Sequence, residues 1–154
     1  MSKKFELTRG MLMKLVNNLD EKIVDVQPGG FNNTIRWHIG HVLTTAEQMM
    51  FGYPERSSNL PASYKDMFKM GSRPSDWATD IPKLEELIGN LESQTLRIRE
   101  LPNEFFSQKL PFQIPIEEVQ TFGDMFDFML FHEAYHLGQM QAMKRIVEAR
   151  LNNS

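Results

Sequence analysis

The segment from Phe122 to about Arg150 constrains the fold most, because nothing in it breaks a helix over roughly eight turns. Thr121 followed three residues later by Asp124 is a weak form of the capping box, which predicts that the helix begins at Phe122. Written as heptads, the segment places eight residues on the a and d positions that should face a core. They are Phe122, Met125, Met129, His132, His136, Gln139, Met143 and Ile146.

Three further segments have the three-and-four spacing of apolar residues that predicts amphipathic helices. The first runs from Phe5 to about Asp25, and the second from about Ile35 to Phe51. Asn33 or Thr34 can cap the second helix, and Gly52 and Pro54 stop it. The third has Asp80 as its expected N-cap, carries an apolar stripe from Leu84 to Leu101, and ends at Pro102.

The two longest connections lack this periodicity. Residues 54–75 are predicted to form an irregular crossover with one short helical turn at Tyr64–Phe68, and a connection of this length is uncommon unless it serves a site. Pro111 and Pro115 leave room for only a short extended piece in residues 102–120. The chain is therefore predicted to be all-α: a four-helix bundle with a long crossover connection, in one domain spanning residues 1–154.

Composition excludes several classes of function. Seventeen basic and twenty acidic residues give a net charge of −3 without a long run of either sign, which argues against a nucleic acid partner. The chain has no cysteine, so disulfides, thiolate ligands and a cysteine nucleophile are excluded. Lys3 and Lys4 are not followed by an apolar leader, and no apolar segment approaches the ~18 residues of a membrane span. We therefore expect a cytoplasmic protein that does not enter membranes.

Two histidines lie in the apolar seam of the last helix, where leucine or methionine is expected. A buried imidazole is costly unless its nitrogens have partners, and His132 and His136 are one helical turn apart. The i, i+4 spacing places both rings on one face, where one bound cation would satisfy both. The alternative is a pair of core histidines hydrogen-bonded separately to water or carbonyl groups, which needs several polar partners at once.

Residues 132–136 also spell H-E-x-x-H, the zincin protease signature in which the glutamate, here Glu133, acts as general base. Zincins take a third ligand further along the chain, but no histidine follows His136. The predicted fold also has no β-sheet to bind an extended peptide. The match therefore does not favour a protease.

A third imidazole must come from another helix, and His38 and His41 are the remaining histidines. Periodicity alone favours His38, which lies at the edge of the apolar stripe of the second helix, whereas His41 lies further round. The residues themselves leave this choice open.

Trp37 and His41 in the second helix, followed some ninety residues later by His132, His136 and the run Leu-Gly-Gln, resemble the DinB-like family of metalloenzymes. The resemblance implies a four-helix bundle whose metal is held by one histidine of helix two and an H-x-x-x-H pair of the last helix. Carried over, those ligands are His41, His132 and His136. His38 and Gln139 would then lie next to the ligands, and Gly138 would permit close approach of another helix.

The resemblance also implies chemistry at an open metal site. Three imidazoles leave one coordination position free, and zinc is the expected metal, with nickel as the second possibility. Characterised relatives include bacillithiol and mycothiol S-transferases and a thiol-dependent isomerase, although many relatives have no assigned activity. A thiol transferase acting on small electrophiles is therefore expected, with a low-molecular-weight thiol as a partner.

Three alternatives stay open at this point: a metal-dependent hydrolase, a metal-binding protein without turnover, and a metal-free helical interaction module. Glu133 has three possible roles, as a neighbour of the ligands, a surface charge or a proton-transfer group. A homodimer formed through an apolar bundle face is the expected assembly.

Overall fold

The computed structural model describes residues 1–78 and 80–153 of the chain. Within these residues the structure is all-α: it contains no β-strand, and one isolated antiparallel bridge joins Lys109 to Thr121. The helices are α1 (Lys3–Asn17), α2 (Glu21–Val24), α3 (Ile35–Phe51), α4 (Tyr64–Phe68), α5 (Leu84–Arg99), α6 (Asn103–Ser107) and α7 (Phe122–Asn152), and Pro74–Asp76 forms one 3-10 turn. None of these helices is long and apolar enough to cross a membrane.

The four long helices form a bundle. Helix α1 packs against α5 and α7, and α3 packs against the same two helices, so α1 and α3 lie diagonally opposite each other. Contacts between Arg9 and Glu133 and between Phe5 and Phe126 make α1 parallel to α7.

Helices α3 and α5 are also parallel to each other. Arg36, at the start of α3, donates a hydrogen bond to the carbonyl of Pro82 just before α5, while Glu47 and Arg97 pair near the other ends of the two helices. Two parallel helices require a connection as long as the bundle, and residues 52–83 form it. The predicted four-helix bundle with a long crossover connection is therefore confirmed.

Local capping signals predict α3 and α7 well. Thr34 accepts a hydrogen bond from the amide of Trp37, and Gly52 ends α3 in the left-handed conformation that glycine adopts without strain. At the start of α7, the Thr121 hydroxyl and the Asp124 carboxylate complete a reciprocal capping box. The short helix predicted at Tyr64–Phe68 is present as α4.

The first helix is shorter than predicted, because it ends at Asn17 instead of continuing to Asp25. Asn18 forms the C-cap, and Asp20 caps a separate one-turn helix by accepting a hydrogen bond from the Lys22 amide. Aspartate competes with the helix backbone for hydrogen bonds in this way. The helix is therefore interrupted although the apolar periodicity of the sequence continues.

Asp80 does not cap α5, contrary to the sequence-based prediction. Its φ of 58° is left-handed, and α5 begins only at Leu84, with Lys83 in the cap position. Pro82 disfavours helical backbone at Ile81, so the helix can start only after Ile81. Residues 103–107 form α6, which proline spacing in the segment 102–120 did not indicate.

The buried face of α7 drifts away from the predicted heptad seam. Met125, Met129, His136 and Met143 are buried as expected, but Phe122, His132, Gln139 and Ile146 are only half-buried. The remaining buried side chains of α7 are Phe126, Leu130, Glu133, Leu137, Met140 and Val147. A straight helix has 3.6 residues per turn, so its inward face moves gradually away from a strict seven-residue repeat.

The histidines of α7 lie between two apolar clusters. One cluster includes Leu137, Met140 and Met143 with side chains of α1, α3, α4 and α5. The other includes Met125, Phe126, Met129 and Leu130, together with Phe5 and Ile98. The level of the bundle between these clusters is occupied by buried polar side chains.

Candidate metal centre

Helix α3 buries both of its histidines. It is covered by α5, α7, α4 and α2, and every residue from Ile35 to Thr44 is buried. In a helix enclosed on nearly all sides, apolar periodicity cannot distinguish an inward position from a lateral one. Periodicity therefore does not decide between His38 and His41, which are both buried.

Helix α7 presents the other two histidines one turn apart. His136 is buried and His132 is half-buried, and the two rings are in edge-to-face contact with centroids 4.4 Å apart. His38 contacts His136 and His41 contacts His132, so α3 and α7 are antiparallel neighbours and this face of α7 lies against the middle of α3. The imidazole of His41 contacts both rings of α7.

Three imidazole nitrogens converge at this point. His132 Nε2 lies 3.1 Å from His41 Nε2 and 3.1 Å from His136 Nε2. Ligand atoms of all three residues lie within 4.8 Å of one another. Two nitrogens bound to one zinc ion at about 2.0–2.1 Å, at a tetrahedral angle, are about 3.3–3.4 Å apart. The two short separations are therefore close to those expected for ligands of a common ion.

The number of protons available to the three rings also favours a shared ion. His132 Nε2 has two nitrogen neighbours at 3.1 Å, but the nitrogen of a neutral ring either donates one hydrogen bond or accepts one. At most one of these contacts can therefore be a full hydrogen bond between neutral rings. A cation bound by the lone pairs of all three nitrogens satisfies the whole arrangement.

Burial favours, in all three rings, the neutral form that metal binding requires. Burial lowers the pKa of His132 to about 4 and that of His136 to about 3, with smaller contributions from the charges of neighbouring histidines. Burial also lowers the pKa of His41, although its hydrogen bond to Phe68 acts in the opposite direction. Neutral imidazole is the form that ligates divalent metals.

The hydrogen bond of His41 fixes its tautomer. His41 Nδ1 lies 2.6 Å from the carbonyl oxygen of Phe68, and a carbonyl only accepts, so Nδ1 carries the proton. In the neutral ring, Nε2 is then unprotonated and points its lone pair at the other histidines. A hydrogen bond from the far nitrogen to a carbonyl is the usual support of a metal-binding histidine.

Gly40 allows Phe68 to reach this position. A Cβ atom at Gly40 would lie 2.3–2.5 Å from three atoms of the Phe68 ring, which is far inside contact distance. Trp37 completes the support, because its ring stacks on His41 at a centroid distance of 4.5 Å and an interplanar angle of 10°. The Trp37 indole in turn donates a hydrogen bond to Ser72.

His38 contacts the centre through His136. The Nδ1 atoms of the two rings are 2.8 Å apart, and burial lowers the pKa of His38 to about 4, with further lowering from His41 and His132. His38 therefore lies beside a candidate ligand, and its supporting role there stays a prediction. By contrast, the buried Nδ1 of His132 has no hydrogen-bond partner among the described residues.

Glu133 and Gln139 have different surroundings from those of the histidines. Both carboxylate oxygens of Glu133 accept hydrogen bonds from Arg9, in a fully buried ion pair. This pairing leaves the proton-transfer role without support and excludes the surface-charge role. The side chain of Gln139 is half-buried and makes no hydrogen bond within the described part of the chain, so its role beside the ligands stays a prediction.

No helix packs closely against Gly138 within the described residues, contrary to the prediction. It is exposed, and a Cβ placed there would have no atom within 4 Å among the described residues. Sequence reasoning instead missed Gly40, whose position in the interior of a helix was the available signal. It also missed Arg9 and the Phe68 carbonyl, for which the sequence contains no local signal.

A family model described as the DinB superfamily matches residues 4–140 of the chain. The chain belongs to the DinB superfamily. The match includes all four histidines and confirms the resemblance drawn from the residues around Trp37, His41 and His136. No curated protein matches the chain. In this DinB superfamily member, the cluster of His41, His132 and His136 could hold a metal ion.

Proposed function

We propose that this DinB superfamily protein binds one divalent metal ion through the Nε2 atoms of His41, His132 and His136. The observation that carries the proposal is the convergence of these nitrogens from two helices, with two separations of 3.1 Å. The donor set is chemically suitable, because three neutral imidazoles bind zinc or nickel and lack the thiolates of a closed structural site. Zinc is the metal we favour.

We further propose that the protein is a metal-dependent enzyme, a thiol S-transferase acting on small electrophiles. A divalent cation held by three imidazoles has a free coordination position and, when bound, favours the deprotonated form of a thiol or water. The support for a thiol substrate is the family resemblance. The open position is equally compatible with hydrolysis, so a hydrolase is the competing outcome of the test.

The surroundings of the centre suggest how a small molecule would reach it. His132 is half-buried, whereas His41 and His136 are buried, so access is expected on the His132 side. Phe131 and Tyr135 are both exposed on the same stretch of α7. On the opposite side, Trp37 covers His41 and keeps bulk water from that ring.

Metal analysis of protein purified without a histidine tag tests the binding proposal. Wild-type protein is expected to retain about one equivalent of a divalent metal, and His136→Ala is expected to lose it. Val147→Ala is the matched control, because Val147 is buried on the same helix and its side chain has no nitrogen ligand. A metal-free wild-type protein that also binds no added zinc or nickel would refute the proposal.

Activity measurements then separate the chemical alternatives. The metal-loaded protein is incubated with a low-molecular-weight thiol and an aryl halide, and in parallel with activated esters and amides. Thiol conjugation that disappears in His136→Ala supports the transferase, whereas metal-dependent ester or amide cleavage supports the hydrolase. Stoichiometric metal without either activity would contradict the enzymatic part of the proposal and leave the binding part standing.

A further inference from the structure

A continuous line of buried polar side chains crosses the bundle beside the histidines. We call Arg9, Glu47, Gln94 and Glu133 the polar layer. One residue comes from each long helix, and each residue is no more than 1% exposed. Burying three charges and an amide among apolar clusters is costly unless each group has partners, so the contacts of this layer need a physical account.

Arg9 is the centre of the polar layer. Its Nε donates to Glu133 Oε2 at 3.1 Å, and its Nη2 donates to Glu133 Oε1, so the guanidinium grips the carboxylate at both oxygens. Nη1 donates to the Thr95 hydroxyl at 3.2 Å, and Nη2 donates to Gln94 Oε1 at 2.7 Å. The planar fork of arginine makes these contacts strongly directional.

Gln94 continues the layer to α3. Its Nε2 donates to the backbone carbonyl of Leu43 at 2.9 Å and to Glu47 Oε2 at 2.7 Å. Because Oε1 accepts from Arg9, and the groups facing Nε2 only accept, the amide has one permitted orientation. Glu47 is held independently by Arg97, Ser57 and Asn59.

The two ends of the layer are attached next to the candidate ligands. Glu133 lies between His132 and His136 in α7, and Leu43 follows His41 by two residues in α3. A hydrogen-bonded path therefore runs from one ligand-bearing helix through Arg9 and Gln94 to the other. Both ends of this path are fixed by directional contacts.

Apolar packing alone specifies the position of α7 weakly. Its inward face is rich in methionine, with Met125, Met129, Met140 and Met143 all buried, and methionine adapts to shifted neighbours. A rotation of α7 by one residue would turn its side chains by about 100°, and a slip by one turn would move them by about 5.4 Å. Either movement would break the paired contact between Arg9 and Glu133.

We propose that Arg9, Gln94 and Glu133 are positioning residues of the metal centre, which set the rotation and register of α7 relative to α3. This inference rests on the metal site proposed above. It differs from a purely stabilising role, because replacing a buried ion pair by apolar residues of similar size is often neutral or stabilising. Under the proposal, a variant can therefore keep its stability and still lose the geometry of the centre.

The test uses Co²⁺ as the probe, because its visible absorption reports the number and arrangement of its ligands. Wild type is compared with the double variant Arg9→Met/Glu133→Leu and with Leu87→Ala, whose buried side chain lies two turns from Gln94. Urea unfolding gives the stability of each protein. The double variant is expected to bind Co²⁺ at least about tenfold more weakly, with an altered spectrum. Leu87→Ala is expected to lose stability but to keep the wild-type affinity and spectrum.

Conservative single variants keep the test decisive should the double variant fail to fold. Arg9→Lys retains the charge but not the two-pronged contact, and Glu133→Gln retains the shape but places an amide against the guanidinium. Both are expected to change the Co²⁺ spectrum while remaining folded. Unchanged Co²⁺ affinity and spectrum in every folded variant of the polar layer would refute the positioning role. The role would also be refuted if Co²⁺ binding weakened in proportion to lost stability in both the layer variants and Leu87→Ala. Failure of wild type itself to bind Co²⁺, zinc or nickel would instead refute the proposed metal site.

Discussion

Replacing Gly40 by alanine tests how the fold supports His41. The new Cβ would lie 2.3–2.5 Å from Phe68 ring atoms, so the ring or the helix must move by more than an ångström to reach ordinary contact at about 3.5–4.0 Å. The ring cannot move freely, because Phe68 is fully buried and contacts Tyr64 and Trp77 edge-on. Phe68 also supplies the carbonyl that accepts from His41, so the movement is transmitted to the candidate ligand.

The expected magnitude follows from two opposing effects. Overpacking a core position costs about 1–3 kcal/mol. Alanine gains about 1 kcal/mol over glycine in the interior of a helix. We therefore expect Gly40→Ala to lower the free energy of unfolding by about 1 kcal/mol, with a range of about 0–2 kcal/mol. Loss of the hydrogen bond between His41 and Phe68 is expected to weaken metal binding by about 10–100-fold.

Gly89→Ala is the matched control for this prediction. Gly89 is also inside a long helix, α5, but a Cβ there would meet nothing within 4 Å. This variant is expected to be more stable by up to about 1 kcal/mol and to bind metal as wild type does. Urea unfolding and competition with a metal chelator measure the two quantities. Stabilisation of Gly40→Ala equal to that of Gly89→Ala, with unchanged metal affinity, would refute the reasoning.

Three further predictions concern the centre and the polar layer. His38→Ala is expected to weaken metal binding about 10–100-fold, whereas His136→Ala abolishes it. A zinc titration that gives the two variants the same affinity would contradict these roles. Removing the metal with a chelator is expected to lower the free energy of unfolding of wild type by about 2.7 kcal/mol, compared with protein in free metal at one hundred times its Kd. The same treatment is expected to leave the thermal unfolding of His136→Ala unchanged. Burial alone would raise the pKa of Glu47, but hydrogen bonds from Arg97, Gln94, Ser57 and Asn59 hold it below its usual value of 4.5. The stability that Glu47 contributes is therefore complete well above pH 4.5 and is lost as the pH falls through its lower folded pKa. Glu47→Gln is expected to lower the free energy of unfolding by about 2 kcal/mol at neutral pH. In urea unfolding, the stability of wild type should fall more steeply with acid than that of Glu47→Gln. Identical pH profiles of the two proteins would contradict this expectation.

The sequence predicts those features of the fold that depend on local chemistry. Thr34, Gly52 and the pair of Thr121 and Asp124 bound α3 and the start of α7, because caps act within a few residues of the backbone they bind. The end of α1 was missed because Asp20 competes with the helix backbone without disturbing the apolar pattern around it.

The candidate site was only partly accessible to sequence reasoning. The pair His132 and His136 stands out because imidazoles replace apolar residues in a helical seam. His41 could not be chosen over His38 from periodicity, because α3 is covered on several sides and carries no clear exposed face. The resemblance to the DinB-like family indicated His41, and the structure places it with the α7 pair.

The polar layer could not have been foreseen from the sequence. Arg9 lies on an amphipathic helix, and an arginine there is usually exposed to solvent. Its burial depends on acceptors from α5 and α7 that are 85–124 residues distant along the chain. Such a partnership is a property of the assembled bundle, so neither spacing nor composition reports it.

The most direct test of the metal centre is anomalous diffraction from crystals of the tag-free protein, collected at the absorption edge of the metal found in solution. We expect one anomalous peak per chain, within bonding distance of Nε2 of His41, His132 and His136 and of no nitrogen of His38. A peak bonded to His38 in place of His41, or metal-saturated crystals without a peak between α3 and α7, would contradict this expectation.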